Sequence, residues 1–128
     1  MARSVSTQPT EVELQILGVL WERGPCNVRQ VHEGLVDLKE TQYPTTVKML
    51  LVMLDKGLVK RDETAKPIVY RAAITREKAQ KRMLGDLLER VYEGSAKTLM
   101  MHAMTAKKAS PEEIAEIRQF LAELENPS

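Results

Sequence analysis

Hydroxyl and amine side chains spaced along one predicted helix are the residues of this chain best suited to a chemical role. Residues 43–59 read YPTTVKMLLVMLDKGLV, and on a 3.6-residue helix Thr45 and Lys48 point away from an apolar stripe. Lysine amines and threonine hydroxyls bind phosphate oxygens, while hydroxyl or methyl groups distinguish base edges in a major groove. Because the outward face is nearly free of acid, the pattern is typical of a helix that lies against a polyanion.

A catalytic or metal site would need residue types that this sequence does not group together. His32 and His102 are isolated, the six glycines are scattered, and a nucleophile paired with a base is missing. The single cysteine, Cys26, excludes an internal disulfide and a multi-cysteine metal site, so we expect it to be a small buried apolar residue. We therefore expect no enzyme activity, no bound metal and no cofactor.

The helix that carries Thr45 and Lys48 has a predicted start, a core-facing stripe and an end. Pro44 is tolerated in a first helical turn, and Gly57 supplies a left-handed stop. The predicted core-facing stripe consists of Val47, Leu50, Leu51 and Leu54. The predicted outward face consists of Thr45, Lys48, Met49, Val52 and Lys56.

Two capped helices precede this one. Thr10 with Glu13 forms a capping-box pattern, and Asn27 with Gln30 repeats it after the helix stop at Gly24-Pro25. The second helix is predicted to close near residue 38, and a polar turn at residues 39–42 leads into the third. The order helix, helix, turn, helix is helix-turn-helix spacing.

A β-hairpin is predicted after the third helix. Residues 58–62 and 68–72 are rich in β-branched or aromatic types and are separated by a turn-like segment. Three helices followed by a two-stranded hairpin make a winged helix. The basic residues here are either a solvated strand face or wing residues that contact a DNA backbone: Lys60, Arg61, Lys66 and Arg71. A winged helix can also serve only protein contacts, an alternative that predicts salt-insensitive binding and no operator.

The rest of the chain is predicted to be helical. We expect a flexible N-terminus at residues 1–9, a winged-helix domain at 10–74 and a helical dimerisation region at 75–128, with helices at 76–93, 96–104 and from Ser110-Pro111 onward. The apolar stripes of these helices offer too little area for an independent core, so a homodimer is favoured over a monomer that folds back on itself. The predicted interface comprises Leu84, Leu87, Leu88, Val91, Leu99, Ile114, Ile117, Leu121 and Leu124.

The composition of the chain is compatible with the predicted fold and DNA partner but does not by itself indicate them. The 128 residues fit one domain with a helical appendage, and 19 basic against 18 acidic residues give a net charge of only +1. The local balance is more informative, because residues 39–61 hold five basic residues and two acids. No apolar run is long enough to cross a bilayer and no secretory signal is recognisable, so we expect a cytoplasmic protein that does not insert into membranes.

Four segments in this order resemble the penicillinase-repressor (BlaI/MecI) family of winged-helix transcriptional regulators. They are LQILGVLWERGPCNVRQV, YPTTVKMLLVMLDKGLVKRD, IVYRA and KKASPEEIAEIRQFLAEL, and the likeness spans residues 10 to 125. The resemblance implies a dimeric repressor. Such a protein binds a palindromic operator near its own or a neighbouring promoter, through two N-terminal domains held together by C-terminal helices.

Carried over residue by residue, the resemblance also implies which side chains meet DNA: Tyr43, Thr45, Thr46, Lys48, Met49, Val52, Lys60, Arg61 and Lys66. Thr45, Thr46 and Lys48 are expected at the operator, Tyr43 is expected near the backbone, and the last three lie around the wing. Met49 and Val52 either contact thymine methyl groups or pack against protein. Few direct base contacts would leave operator shape to contribute to specificity.

Some relatives are inactivated by a membrane-bound metalloprotease sensor, which in the best-known branch cuts an Asn-Phe bond. The matching stretch here, residues 99–104, reads LMMHAM and lacks that pair. Copper-responsive relatives carry a cysteine motif that the lone Cys26 does not reproduce. The resemblance therefore leaves the inducing signal open, with the sensor as one partner that it implies.

Overall fold

The computed structural model describes residues 8–127 and is mainly helical, with one small sheet. The elements in chain order are α1 Glu11–Arg23, β1 Cys26–Asn27, α2 Val28–Val36, α3 Tyr43–Lys56, β2 Val59–Asp62, β3 Val69–Ala72, α4 Arg76–Arg90, α5 Ala96–Ala106 and α6 Pro111–Glu125. Three helices followed by a strand hairpin form a winged helix-turn-helix, as the sequence predicts. None of the helices within residues 8–127 is long and apolar enough to cross a membrane.

The described chain divides into two compact units, one ending at Gly85 and one beginning at Asp86. The start of α4 belongs to the first unit, because Ala79 is fully buried in its core. Most of the predicted flexible N-terminus lies outside the described residues. Of that segment the structure describes Gln8 and Pro9, and Pro9 is buried. The predicted domain ranges stay predictions.

Helix ends follow the local signals in the sequence. Capping boxes begin α1 at Thr10, α2 at Asn27 and α6 at Ser110, with reciprocal hydrogen bonds to the side chain and backbone three residues later. Gly57 ends α3 in the left-handed conformation, with φ 79° and ψ 15°. These predictions are confirmed. The lengths differ by a few residues, because α2 ends at Val36 and α5 continues to Ala106.

The sheet has three strands where the sequence predicts two. Its order is β1-β3-β2, and all pairs are antiparallel. The additional strand, β1, pairs Cys26 with Tyr70 and so ties the start of α2 to the wing. Two residues are too few to show an alternating pattern, which is why the sequence does not reveal this strand. Cys26 is buried, as predicted.

The core-facing side of α3 differs from the predicted stripe. Leu50 and Met53 are fully buried, whereas Leu51 is 48% exposed. The prediction for Leu51 was wrong because six consecutive apolar residues, 49–54, leave the phase of the helix undetermined until it packs. Leu50 and Met53 pack into a core cluster whose other large members include Ile16, Leu17, Leu20, Val31, Leu35, Leu58, Val59 and Tyr70.

A buried ion pair joins the beginning of α1 to the end of α3. Lys56, predicted on the outward face, instead places its Nζ 2.6 Å from Oε1 of Glu13, and the two side chains are 8% and 1% exposed. Lys56 Nζ also donates to the backbone carbonyl of Gln8 at 3.2 Å. Burial raises the pKa of Glu13, but hydrogen bonds from Lys56 and Thr10, with the charge of Lys56, outweigh it and leave the pKa below its ordinary value.

This ion pair predicts a pH dependence of stability. Because the folded pKa of Glu13 lies below the ordinary value of 4.5, the carboxylate stabilises the fold fully above about pH 4.5. The contribution is lost as the pH falls through the folded pKa. The difference in unfolding free energy between wild type and Glu13→Gln, measured by urea denaturation, should therefore narrow in acid. If the difference in unfolding free energy stayed constant across this pH range, the lowered folded pKa of Glu13 would be contradicted.

The second unit contains helices that have apolar side chains but no core of their own. None of the described residues of α5 and α6 is buried. Large apolar side chains stand exposed along this unit, from the end of α4 through α6: Leu87, Val91, Met100, Met101, Ile114, Phe120, Leu121 and Leu124. Exposed apolar surface of this kind favours contact with another protein surface.

Candidate nucleic-acid interface

The outward face of α3 presents a short polar and apolar stripe. Thr45, Lys48 and Val52 are all exposed, and their spacing of three and four residues places them on one side of the helix. Asp55, the one acid in the sequence of α3, continues this stripe only at its C-terminal end. From Thr45 to Val52 the stripe therefore offers a hydroxyl, an amine and a methyl-bearing side chain to a partner.

Thr46 does not belong to this exposed face, so the structure does not favour the direct operator contact that the resemblance implies, and that assignment stays a prediction. Its exposure is 0%, and a 2.7 Å hydrogen bond joins its Oγ1 to Nδ1 of His32 on α2. The inner face of α3 consists of Thr46, Leu50 and Met53, so the hydroxyl points into the protein. The resemblance implied a DNA contact for Thr46, but the rotation of the helix determines where its hydroxyl lies.

Met49 and Val52 have different surroundings. Met49 is partly buried and packs against the hydrophobic core, which favours the packing interpretation for this residue. Val52 is 38% exposed and stays at the surface, where its methyl groups are accessible. Of this pair, Val52 is the more exposed, so the predicted contact with thymine methyl groups stays a prediction for Val52.

The wing places two positive charges directly opposite each other. Lys60 on β2 pairs with Arg71 on β3, and both side chains are exposed. Like charges at facing positions destabilise a sheet, so the folded wing gains if an anion lies over them. Lys66 is also exposed, in the turn that connects the strands.

Arg61 lies on the other side of the same strand, because side chains alternate across a sheet. It pairs with Tyr70, and its guanidinium forms an ion pair with Glu63 at 2.8 Å. The hydrogen bond with Tyr70 raises the pKa of Arg61. Lys60 and Arg61, which the sequence placed together around the wing, therefore project from opposite faces of β2.

A groove of about 450 Å³ lies where α2, α3 and the wing meet. Its lining includes Arg29 from the first turn of α2, Tyr43 from the start of α3, and Ile68 before β3. Tyr43 is 46% exposed, so its phenol is accessible from this side. Sequence reasoning missed Arg29, although a basic residue in the first turn of the helix preceding α3 was a usable signal.

The geometry defines a protein of the winged helix-turn-helix class, with an exposed α3 stripe and a basic wing on one compact unit. The family model described as Penicillinase repressor matches residues 9–123, and the chain belongs to this family. The resemblance predicted from the sequence is thereby confirmed. By its name this is a family of repressors and not of enzymes. Within residues 8–127 no group of His, Cys, Asp or Glu side chains is arranged to hold a metal ion.

Individual relatives extend over most of the chain. A penicillinase repressor from Bacillus licheniformis is 25% identical over 119 residues, which are 93% of each chain. The methicillin resistance regulatory protein MecI from Staphylococcus aureus is 20% identical over 113 residues, covering 88% of this chain and 91% of MecI. Among solved structures, a MarR family transcriptional regulator from Silicibacter pomeroyi DSS aligns with a TM-score of 0.45 and 19% identity, over 91% of this chain and 68% of that one.

Proposed function

We propose that this protein is a DNA-binding transcriptional repressor that acts in the cytoplasm and binds a palindromic operator as a homodimer. The observation that carries the proposal is the exposed stripe of Thr45, Lys48 and Val52, in the same compact unit as a wing with facing Lys60 and Arg71. Membership of a repressor family supports the same conclusion.

In this proposal α3 enters the major groove and the wing follows the backbone. Lys48 and the hydroxyl of Thr45 bind phosphates or base edges, while Val52 contacts thymine methyl groups. Lys60, Arg71 and Lys66 neutralise phosphates beside the groove, which releases counterions and lowers the free energy of the complex. The bound repressor then blocks the access of RNA polymerase to the promoter.

The dimer in this proposal forms through the second unit. The predicted interface residues Leu87, Val91, Leu121 and Leu124 are more than 40% exposed, and a second copy would bury them. Phe120, which the sequence prediction omitted, is 58% exposed and adds further apolar surface to α6, the helix that carries Leu121 and Leu124. A dimer of this kind places two recognition helices about one turn of DNA apart, or a multiple of it.

The signal that relieves repression is unidentified. Cleavage by a membrane-bound metalloprotease sensor, which the resemblance implies for some relatives, would act here on a helical segment. Residues 99–104 lie inside α5, so a protease must open that helix before its active site can bind the backbone.

Footprinting of the purified chain on the DNA upstream of its own gene tests the proposal. We expect two protected half-sites related by twofold symmetry, with centres about 10 base pairs apart or a multiple of that spacing. Protection of a single asymmetric segment would contradict the dimeric mode. Absence of protection, with binding to proteins instead, would favour a module for protein contacts.

Replacing Lys48 by Ala is expected to weaken binding to that DNA. The loss should be about 1–3 kcal/mol with relaxed specificity if Lys48 reads a base, or a smaller uniform loss with a shallower salt dependence if it binds phosphate. Fluorescence anisotropy at two salt concentrations separates these cases. Lys78→Ala, which removes the same charge from an exposed position on α4, is the matched control. Unchanged affinity for Lys48→Ala would remove this residue from the interface.

A further inference from the structure

His32 on α2 contacts both a buried residue and an exposed residue of α3, the proposed recognition helix. Its Nδ1 is hydrogen-bonded to Oγ1 of the fully buried Thr46 at 2.7 Å. The edge of the same ring contacts Tyr43, with ring centroids 5.2 Å apart and an interplanar angle of 79°. One side chain of α2 therefore holds two residues of α3.

The spacing on α3 makes this double contact geometrically natural. Tyr43 and Thr46 are three residues apart, so both lie on the side of the first helical turns that faces α2. A buried hydroxyl without a partner is costly, and His32 is the partner that Thr46 has in this structure. The hydrogen bond fixes the imidazole, and the edge-to-face contact then limits where the phenol ring of Tyr43 can stand.

Tyr43 projects from this contact to the surface. It is 46% exposed and lines the groove that also contains Arg29 at the start of α2 and Ile68 before β3. The groove lies at the N-terminal end of α3, which contributes Tyr43 to its lining. A phenol held in one orientation here can donate to a phosphate oxygen without first losing rotational freedom.

We propose that His32 is a positioning residue for DNA binding, which is anchored by Thr46 and orients the phenol of Tyr43 toward the DNA backbone. The inference rests on the proposed DNA-binding function. It gives Thr46 a role in affinity through His32, in place of the direct contact that the family resemblance implied. It also separates Thr46 and His32, which act through another side chain, from Tyr43, which touches the DNA.

A double-mutant cycle distinguishes positioning from a purely structural role. Thr46→Val keeps the volume and removes the hydroxyl, and we expect it to weaken binding to the upstream DNA about tenfold. In a Tyr43→Ala background the same change should have almost no effect on affinity, since the side chain that it positions is gone. Thr46→Ser should restore binding, because it keeps the hydroxyl. Thermal unfolding of each variant measures the structural contribution separately.

His32→Ala provides a second cycle if Thr46→Val does not fold, because His32 is only half-buried. Anisotropy is measured with a duplex of the upstream DNA and with a scrambled duplex of equal length. If His32→Ala costs the same affinity in the wild-type chain and in the Tyr43→Ala variant, the positioning role is overturned while DNA binding stays intact. If the wild-type chain does not prefer the upstream duplex, the proposed function fails and this inference fails with it.

Discussion

Replacing both Leu121 and Leu124 by Asp is expected to convert the proposed dimer into monomers and to weaken binding to the upstream DNA by about 10²–10⁴-fold. The two side chains are 41% and 62% exposed on α6, where the described residues include no buried one. Two charges in a helix seam oppose burial, and each half-site then binds without the high effective concentration that linkage provides. Sedimentation velocity measures the association, and a gel shift on the upstream DNA measures the affinity.

A matched control uses the same two charges on the same helix. Ala115 and Gln119 are exposed on α6 and lie outside the stripe formed by Leu121 and Leu124. Changing both of them to Asp should leave the chain dimeric and its affinity close to that of the wild type. A Leu121→Asp, Leu124→Asp variant that still sediments as a dimer would refute the proposed interface.

Replacing Glu13 by Ala is expected to lower the free energy of unfolding by about 3–5 kcal/mol. The change leaves the ammonium of Lys56, which is 8% exposed, without its carboxylate partner at 2.6 Å. Urea denaturation followed by circular dichroism measures the loss. Glu13→Gln is the informative companion, because glutamine keeps the capping box with Thr10 and removes only the charge. A loss below about 1 kcal/mol for Glu13→Ala would show that the pair contributes little.

Local signals predicted the elements of the fold well, whereas contacts between distant residues were not predictable. Thr10, Asn27 and Ser110 mark helix starts through hydrogen bonds that close within three residues, so the sequence alone contains both partners. Glu13 and Lys56 are 43 residues apart, and nothing local indicates that they meet. Burying a charge there depends on the packing of α1 against α3.

The candidate site was predictable to the extent that residue type decides exposure. Thr45 and Lys48 lie on the surface where the spacing put them, while Thr46 is buried because packing rotates α3. The apolar run at residues 49–54 offered several equally good phases, and only the fit of Leu50 and Met53 into the core selects one. The contacts of His32 with Thr46 and Tyr43 were not predictable from the sequence, since these partners lie on another helix.

The salt dependence of binding to the upstream DNA tests the central claim most directly. Anisotropy of a labelled upstream duplex, titrated with the full chain at several salt concentrations, gives the slope of log affinity against log salt. We expect log affinity to fall linearly with log salt, with a slope of about −0.9 for each neutralised phosphate. We also expect the upstream duplex to bind more tightly than a scrambled one at every salt concentration. Binding that is absent, or that does not change with salt, would contradict DNA recognition by this winged helix.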